Sequence, residues 1–413
     1  MHYNFYFDES FHDRAITLSS NGTLNVLDES KNDSYIGVFW GCKNTDSSKA
    51  LRILSQFENR QRSNFGLPKE KELKSTNISK EHFSKGLKSF NQKTLCFYTD
   101  LFNTLIVLKP IIQIEAISKV EYYLRCLFKP TKFSDWVDDN SFFYSLTKFF
   151  IVYNNPQLLQ KLFTVNDKTS AEEFKNLLLE QITQILDVIK DIPRKSSEEI
   201  AYQEICFILN NNDIELIEGK HFDFDYSPDF FGLMNLLREI GIPSQKINLT
   251  IDQEKKTFNT AIKFAFNNVK QQKSHNSVYI RLSDWMSGFI GRMMLAISTD
   301  GGMLEDKLIE FEDIKKNDLT RKRILSPDWF NIDKERFDLY HLIYKALIAD
   351  QEHYWTTMTT SYCDQTVMLY ALLRYFASYR TYKEYCAIES QIHSENYNTS
   401  CCTELLKSYE DRR

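Results

Sequence analysis

The chain opens on Tyr3-Asn4-Phe5-Tyr6-Phe7, an aromatic run that leads straight into Asp8, Glu9 and Ser10. Aromatic residues favour a pleated, half-buried setting, so this run predicts a strand over residues 3–7 despite its place near the terminus. Burying that strand carries Asp8 to its end, at the edge of a sheet. A carboxylate there is costly to desolvate alone and calls for a cation or a hydrogen-bond donor beside it. We therefore read Asp8 as the first ligand of a metal site. Taken alone, Asp-Glu-Ser is also an ordinary solvated turn, so the argument depends on acids found later in the chain.

Tyr35 to Cys42 reads as a second, largely buried strand, and Ser47 to Phe57 as a helix with Leu51, Ile53, Leu54 and Phe57 on one stripe. A charged segment follows, from Pro68 to Ser75. Mixed charges of this kind make a solvated face; the functional reading points Glu72 at Asp8 and sets Lys74 beside a bound phosphate. Phe83, Leu87 and Phe90 recur at helical spacing, and Thr94 opens a segment open to either helix or strand. Ile106 to Ile114 is a β-rich run in which Pro110 predicts an edge or bulged strand. Residues 119–222 are helical by pattern, with Ser170 to Glu173 at capping-box spacing and Phe174, Leu177, Leu178, Ile182, Ile185, Leu186 and Ile189 on one face. A helix over Phe230 to Ile240 precedes Lys246 to Asp252, an alternating strand that runs into an acid as the first does. After a helix from Lys255 to Phe266, a short β-like run within Ser274 to Gly288 passes into a helix with Asp284 in its first turn, where the dipole by itself favours a carboxylate. Residues 303–413 read as almost all helix, with a basic cluster at Lys315 to Arg323.

Composition limits the possibilities. At 413 residues with 42% hydrophobic and 26% charged content, and only 12 Gly and 8 Pro, this is a helix-rich globular chain of two or three domains, or one domain with a long insertion. A net charge of −5 excludes a chain coated in nucleic acid, so such a partner needs a local basic groove. The eight cysteines include no Cys-x-x-Cys pair and no His pair at zinc spacing, which predicts reduced thiols. No charged-then-apolar signal pattern opens the chain, and no apolar run approaches the roughly 20 residues a spanning helix needs, so the expected location is cytoplasmic, away from membranes.

Asp8 after the first strand, Glu72 after the first helix, Asp252 after a later strand and Asp284 opening a helix thus stand at comparable places. Brought together at adjacent strand ends, such acids suit Mg²⁺ or Mn²⁺, hard cations that want oxygen ligands and that relieve the repulsion between carboxylates. A pair of such ions about 4 Å apart holds an attacking water and a leaving oxygen for in-line phosphoryl displacement. The chemistry expected is phosphodiester hydrolysis.

Phe5-Tyr6-Phe7-Asp8-Glu9-Ser10, then Glu72-Leu73-Lys74, then Ile280-Arg281-Leu282-Ser283-Asp284-Trp285-Met286-Ser287-Gly288 resemble, in order, the signature segments of the widespread bacterial family catalogued as domain of unknown function 3800. The resemblance implies an α/β chain with a ribonuclease H-like mixed sheet flanked by helices and an acidic active site. Asp8, Glu72 and Asp284 match the motif acids, and Asp252 matches by its position after a strand. Phe11 stands where the family commonly has Gly, and Ser283 where it commonly has Ala. The resemblance covers residues 1–118 and 223–300, two parts of one ribonuclease H-like domain, and leaves 119–222 as a helical insertion and 301–413 as a helical C-terminal region. It also associates the chain with mobile elements or phage defence.

The leading expectation is a divalent-metal-dependent nuclease acting on DNA or RNA, with Asp8, Glu72, Asp252 and Asp284 as metal ligands. Lys74, Arg281 and Ser10 are the candidate substrate-binding residues, and His12 or His275 the candidate proton shuttles. The alternative is a degenerate ribonuclease H-like scaffold whose apolar helices, Leu177 to Ile189 and Val367 to Phe376, dock a partner protein or a second copy. Ser10 as a nucleophile lacks a His and Asp pairing.

Overall fold

A computed structural model describes residues 1–10, 33–68, 70–130, 138–153, 156–162, 165–192, 195–211, 214–216, 225–300, 325–349 and 354–410. Phe11, His12 and the Lys315 to Arg323 cluster lie outside these residues.

The fold is built on a six-stranded mixed sheet. Its strands are β1 (Tyr3–Ser10), β2 (Ser34–Lys43), β3 (Ile111–Ser118), β4 (Ile247–Ile251), β5 (Asn268–Gln271) and β6 (Tyr354–Met358). They lie side by side in the order β5-β4-β1-β2-β3-β6. The first three form an antiparallel set, β4 runs parallel to β1, and β5 and β6 run parallel to β4 and β3. β1 is thus central, with Phe5 opposite Gly41 on one side and Leu249 on the other.

Successive side chains on a strand alternate faces, and the buried residues sort accordingly. Tyr6, Ile36, Val38, Trp40, Ile112 and Ile114 face one core. Against it pack α1 (Ser47–Phe65), α2 (Gln92–Leu108) and α10 (Val278–Asp300). Phe5, Phe7, Tyr35, Phe39 and Ile117 face the second core, covered by α8 (Ser227–Glu239) through Phe230, Leu233 and Leu237. On that face Tyr35 donates to Asp229 Oδ2 at 3.0 Å, and the buried Asp229 carboxyl is pushed up by burial and by Glu115.

Between β3 and β4 come α3 (Lys119–Leu127), α4 (Asp139–Tyr153), α5 (Pro156–Leu162), α6 (Lys168–Ile189) and α7 (Ser196–Asn210), and then α8. α9 (Lys255–Ala261) precedes β5; α11 (Lys334–Leu347), α12 (Asp364–Ala377), α13 (Tyr382–Tyr385) and α14 (Ser390–Glu410) follow α10. Phe174, Ile182, Ile185 and Ile189 of α6 and Leu369, Leu372 and Phe376 of α12 lie in the same continuous core as the sheet face under α10. The helices whose apolar faces suggested a docking surface therefore bury those faces inside this chain.

Several sequence expectations are corrected. The helix expected from Lys80 is a single 3₁₀ turn, Lys80–Phe83, followed by extended Ser84–Leu87, because Gly86 adopts φ +57 and lies against the Trp329 ring. Thr94 belongs to α2, whose N-cap Asn91 accepts from its N–H at 2.9 Å. Pro110 precedes β3 instead of interrupting it, and β3 is paired on both sides. The α6 cap is Asp167, which accepts from Ser170 N, and not Ser170. α9 ends at Ala261, five residues before Phe266. β6 lies in the region read as almost all helix. No disulfide forms among the described residues, and no helix among them is long and apolar enough to cross a membrane.

Gly37 in β2 has no room for a side chain: a Cβ there would sit 2.2 Å from Asp229 Oδ1 and 3.1 Å from the Phe7 ring. Gly37→Ala should lower stability by about 1–3 kcal/mol. Adding Asp229→Ala should restore part of that loss, as read by chemical denaturation; strictly additive losses would rule out the contact as the cause.

Candidate active site

Asp8 lies inside β1 rather than beyond its end, on the face shared with Tyr6 and Ser10. α10 crosses that face. Tyr279 stacks on Tyr6 with ring centroids 4.5 Å apart, and the hydroxyls of Ser287 and Ser10 are 2.9 Å apart. Asp284 comes from the second turn of α10, which begins at Val278, so the residues read as a β-like run are already helix and the first-turn dipole account of Asp284 falls.

The Pro68 to Ser75 loop meets α10 directly. Ser75 donates twice to Asp284, from N at 2.8 Å and from Oγ at 2.7 Å, and Trp285 Nε1 donates to Leu73 O at 2.9 Å. This close approach depends on Gly288, where a Cβ would fall 2.5 Å from Ser75 Cβ. Glu72 and Lys74 flank the buried Leu73; the Lys74 ammonium, half exposed, stands 3.4 Å from Glu72 Oε2. Glu72 Oε1 is buried with no hydrogen-bond partner among the described residues.

β4 delivers the fourth acid. Phe7 pairs with Ile251 in parallel register, so Asp8 and Asp252 follow at the carboxyl ends of adjacent strands, the end at which open α/β sheets place their ligands. Asp252 Oδ1 accepts from Gln253 N at 2.7 Å and from Ser274 N at 2.9 Å.

Burial, reinforced by the charges of Asp284, Glu9 and Asp252, pushes the Asp8 carboxyl well above the usual carboxylate range, against a 2.9 Å hydrogen bond from Glu9 N. Burial likewise raises Asp284, while the Ser75 donors and then the Arg292 and Lys74 charges oppose it. Three of the four sequence-predicted acids, Asp8, Asp252 and Asp284, are therefore in electrostatic contact. Glu72 stands on the loop that Asp284 holds through Ser75.

Arg281 does not face the acids. It is buried, its Nη2 pairs with Glu58 Oε2 at 2.6 Å, and its Nη1 donates to Ser274 O at 2.6 Å. Its expected role as a phosphate ligand is corrected to a positioning one: it fixes the turn whose N–H holds Asp252. His275, in that turn, is exposed. Sequence reasoning missed Ser75, Glu58 and Arg292. The Arg292 guanidinium is buried on α10, and its Nη1 lacks a hydrogen-bond partner among the described residues. The sequence signal for it was the spacing Asp284, Gly288, Arg292, which puts all three on one helix face.

No group of three or more His, Cys, Asp or Glu among the described residues forms a ready-made metal cage. The donor set instead fits a hard divalent cation that needs no such cage, because Mg²⁺ takes one or two carboxylates and completes its shell with water and substrate phosphate. Asp8, hard to ionise beside Asp284, and the orphaned Glu72 Oε1 both call for a cation. Comparison with known families, curated proteins and solved structures returns no match.

Because folding raises the Asp8 titration point, its contribution to stability is full below about pH 4 and is lost as pH climbs through the raised value. Chelator-treated protein should therefore lose stability with rising pH, by up to about 1.4 kcal/mol per pH unit. Asp8→Asn should flatten this fall and exceed wild type in stability at pH 7. A variant less stable than wild type in thermal unfolding at that pH would contradict the repulsion.

Proposed function

We propose that the chain is a divalent-metal-dependent nuclease of ribonuclease H-like fold, hydrolysing phosphodiester bonds of DNA or RNA, and a member of the family catalogued as domain of unknown function 3800. The observation that carries the reading is the convergence of Asp8 from the central strand and Asp284 from α10, with Asp252 at the neighbouring parallel strand end, into one site where the acids oppose each other's ionisation. The strand order supports the fold assignment: an antiparallel set of three, with β4 and β5 in parallel on the β1 side and β6 in parallel beside β3.

Asp8 and Asp284 would hold Mg²⁺ or Mn²⁺, with Asp252 and Glu72 completing or orienting the shell. A bound ion there supplies Lewis-acid polarisation of the phosphoryl group and a more acidic water. The chain's own residues do the rest. Ser75 fixes both Asp284 oxygens in one rotamer, and the Ser274 N–H holds Asp252 Oδ1. Lys74, the half-exposed cation of the loop, binds a non-bridging phosphate oxygen, and Ser10, tied to Ser287, hydrogen-bonds another. The exposed His275 relays the proton to or from solvent. A role as effector of a bacterial defence system rests on the family resemblance alone.

The test is cleavage of single- and double-stranded DNA and RNA with Mg²⁺, with Mn²⁺ and with chelator. Asp8→Ala and Asp284→Ala should each lower the rate by roughly a hundredfold or more while the protein stays folded by circular dichroism. Cleavage that persists in both variants, or in chelator, would refute the assignment.

A further inference from the structure

A cavity lies at the end of the sheet opposite the acids. It opens between the start of β1, the end of β2, the first turn of α1, the α2–β3 junction and the segment after α8, and it encloses about 430 Å³, within the usual size range of small-ligand sites. Tyr3 lines it, five residues along β1 from Asp8, so it is separate from the acid site.

Its lining divides by chemistry. Pro110, Ile111, Ile240 and Ile242 make an apolar wall, with the Tyr3 ring beside them. Lys43, Lys49 and Lys109 gather at the same cavity against one acid, Asp46. All three lysines are exposed, and among the described residues none makes an ion pair or a side-chain hydrogen bond. Three like charges around one hollow repel each other, and an anion relieves that repulsion.

Lys109 adds an independent sign. It closes α2 in the left-handed conformation, φ +46, as the one residue other than glycine with positive φ among the described residues. Gly or Asn normally fills that position, because a longer side chain is strained there. Here the strained residue is a lysine that lines the cavity, and strain of this kind concentrates at ligand sites.

We propose that this cavity binds a small phosphomonoester of nucleoside monophosphate size, with its phosphate among Lys43, Lys49 and Lys109 and its base and sugar against the Ile240–Ile242 wall. Lysine serves phosphate as a point charge, and the apolar wall accepts the flat body. The inference does not depend on the nuclease reading.

The test is isothermal titration calorimetry on the full chain in chelator, with AMP, adenosine and inorganic phosphate as separate probes. AMP should bind more tightly than either of the others. A Lys43→Gln, Lys49→Gln, Lys109→Asn variant should bind AMP roughly tenfold or more weakly, with a melting temperature equal to or above that of wild type, since Asn suits the left-handed position. Lys109→Asn alone should shift affinity the same way, which keeps the test valid if the triple variant does not fold. No heat from millimolar AMP, adenosine or phosphate binding as tightly as AMP, or affinity unchanged in the variants would each overturn the proposal.

Discussion

The site depends on Glu58, a buried carboxylate of α1 held between two arginines. Its Oε1 accepts from Arg62 at 3.2 Å, and its Oε2 from Arg281 at 2.6 Å. Each arginine then reaches a different loop. Arg62 donates to Pro68 O at 3.0 Å and to Lys71 O, where the chain turns toward Glu72 and Ser75. Arg281 donates to Ser274 O, in the turn that holds Asp252. Removing one partner from a buried pair commonly destabilises by about 3–5 kcal/mol, since a charge is then left uncompensated. The ion network thus couples stability to geometry: the helix that covers the sheet also sets where two separate acid-bearing segments stand.

α10 is the other half of this construction. It presents Asp284 to Asp8, Ser287 to Ser10, Trp285 to Leu73 and Gly288 to Ser75 within five consecutive residues. A helix lets such a short stretch serve several neighbours, because residues three and four apart share a face while those between them point elsewhere. Gly288 is the least replaceable of the group, since its missing side chain is what lets the Ser75 hydroxyl reach Asp284.

The central features were legible in the sequence because they are local. The aromatic run Tyr3 to Phe7 and the alternating run Lys246 to Asp252 each lead into an acid, so both strands could be placed without knowledge of the fold, although β1 runs on through Asp8 to Ser10. Edge strands were not legible. Asn268–Gln271 has a single apolar residue and lies mostly exposed, and Tyr354–Met358 sits between helical patterns. The β-like run read within Ser274 to Gly288 rests on Val278, Tyr279 and Ile280, which favour strands locally, yet packing on Tyr6 and Trp40 makes them helix. Side-chain partners were the least legible of all. Arg281 stands three residues from Asp284 in a motif and so looked like a phosphate ligand, but Glu58, 223 positions away, takes its guanidinium. Ser75, 209 positions from Asp284, left no signal.

The sheet also separates charge in a way that a net value of −5 conceals. The carboxyl ends of β1 and β4 carry Asp8 and Asp252 beside Asp284, while the opposite end of β1 borders Lys43, Lys49 and Lys109. Acids this close repel one another and would repel a polyanion as well. Their proximity is tolerated because fixed donors offset part of the repulsion: two bonds from Ser75 to Asp284, two backbone bonds to Asp252, one from Glu9 N to Asp8. Asp8 has the fewest donors of the three acids, one against two, and burial with the charges of Asp284, Glu9 and Asp252 holds its carboxyl well above the usual carboxylate range. A positive charge placed beside it would relieve both the cost of burying the carboxylate and the repulsion from the neighbouring acids.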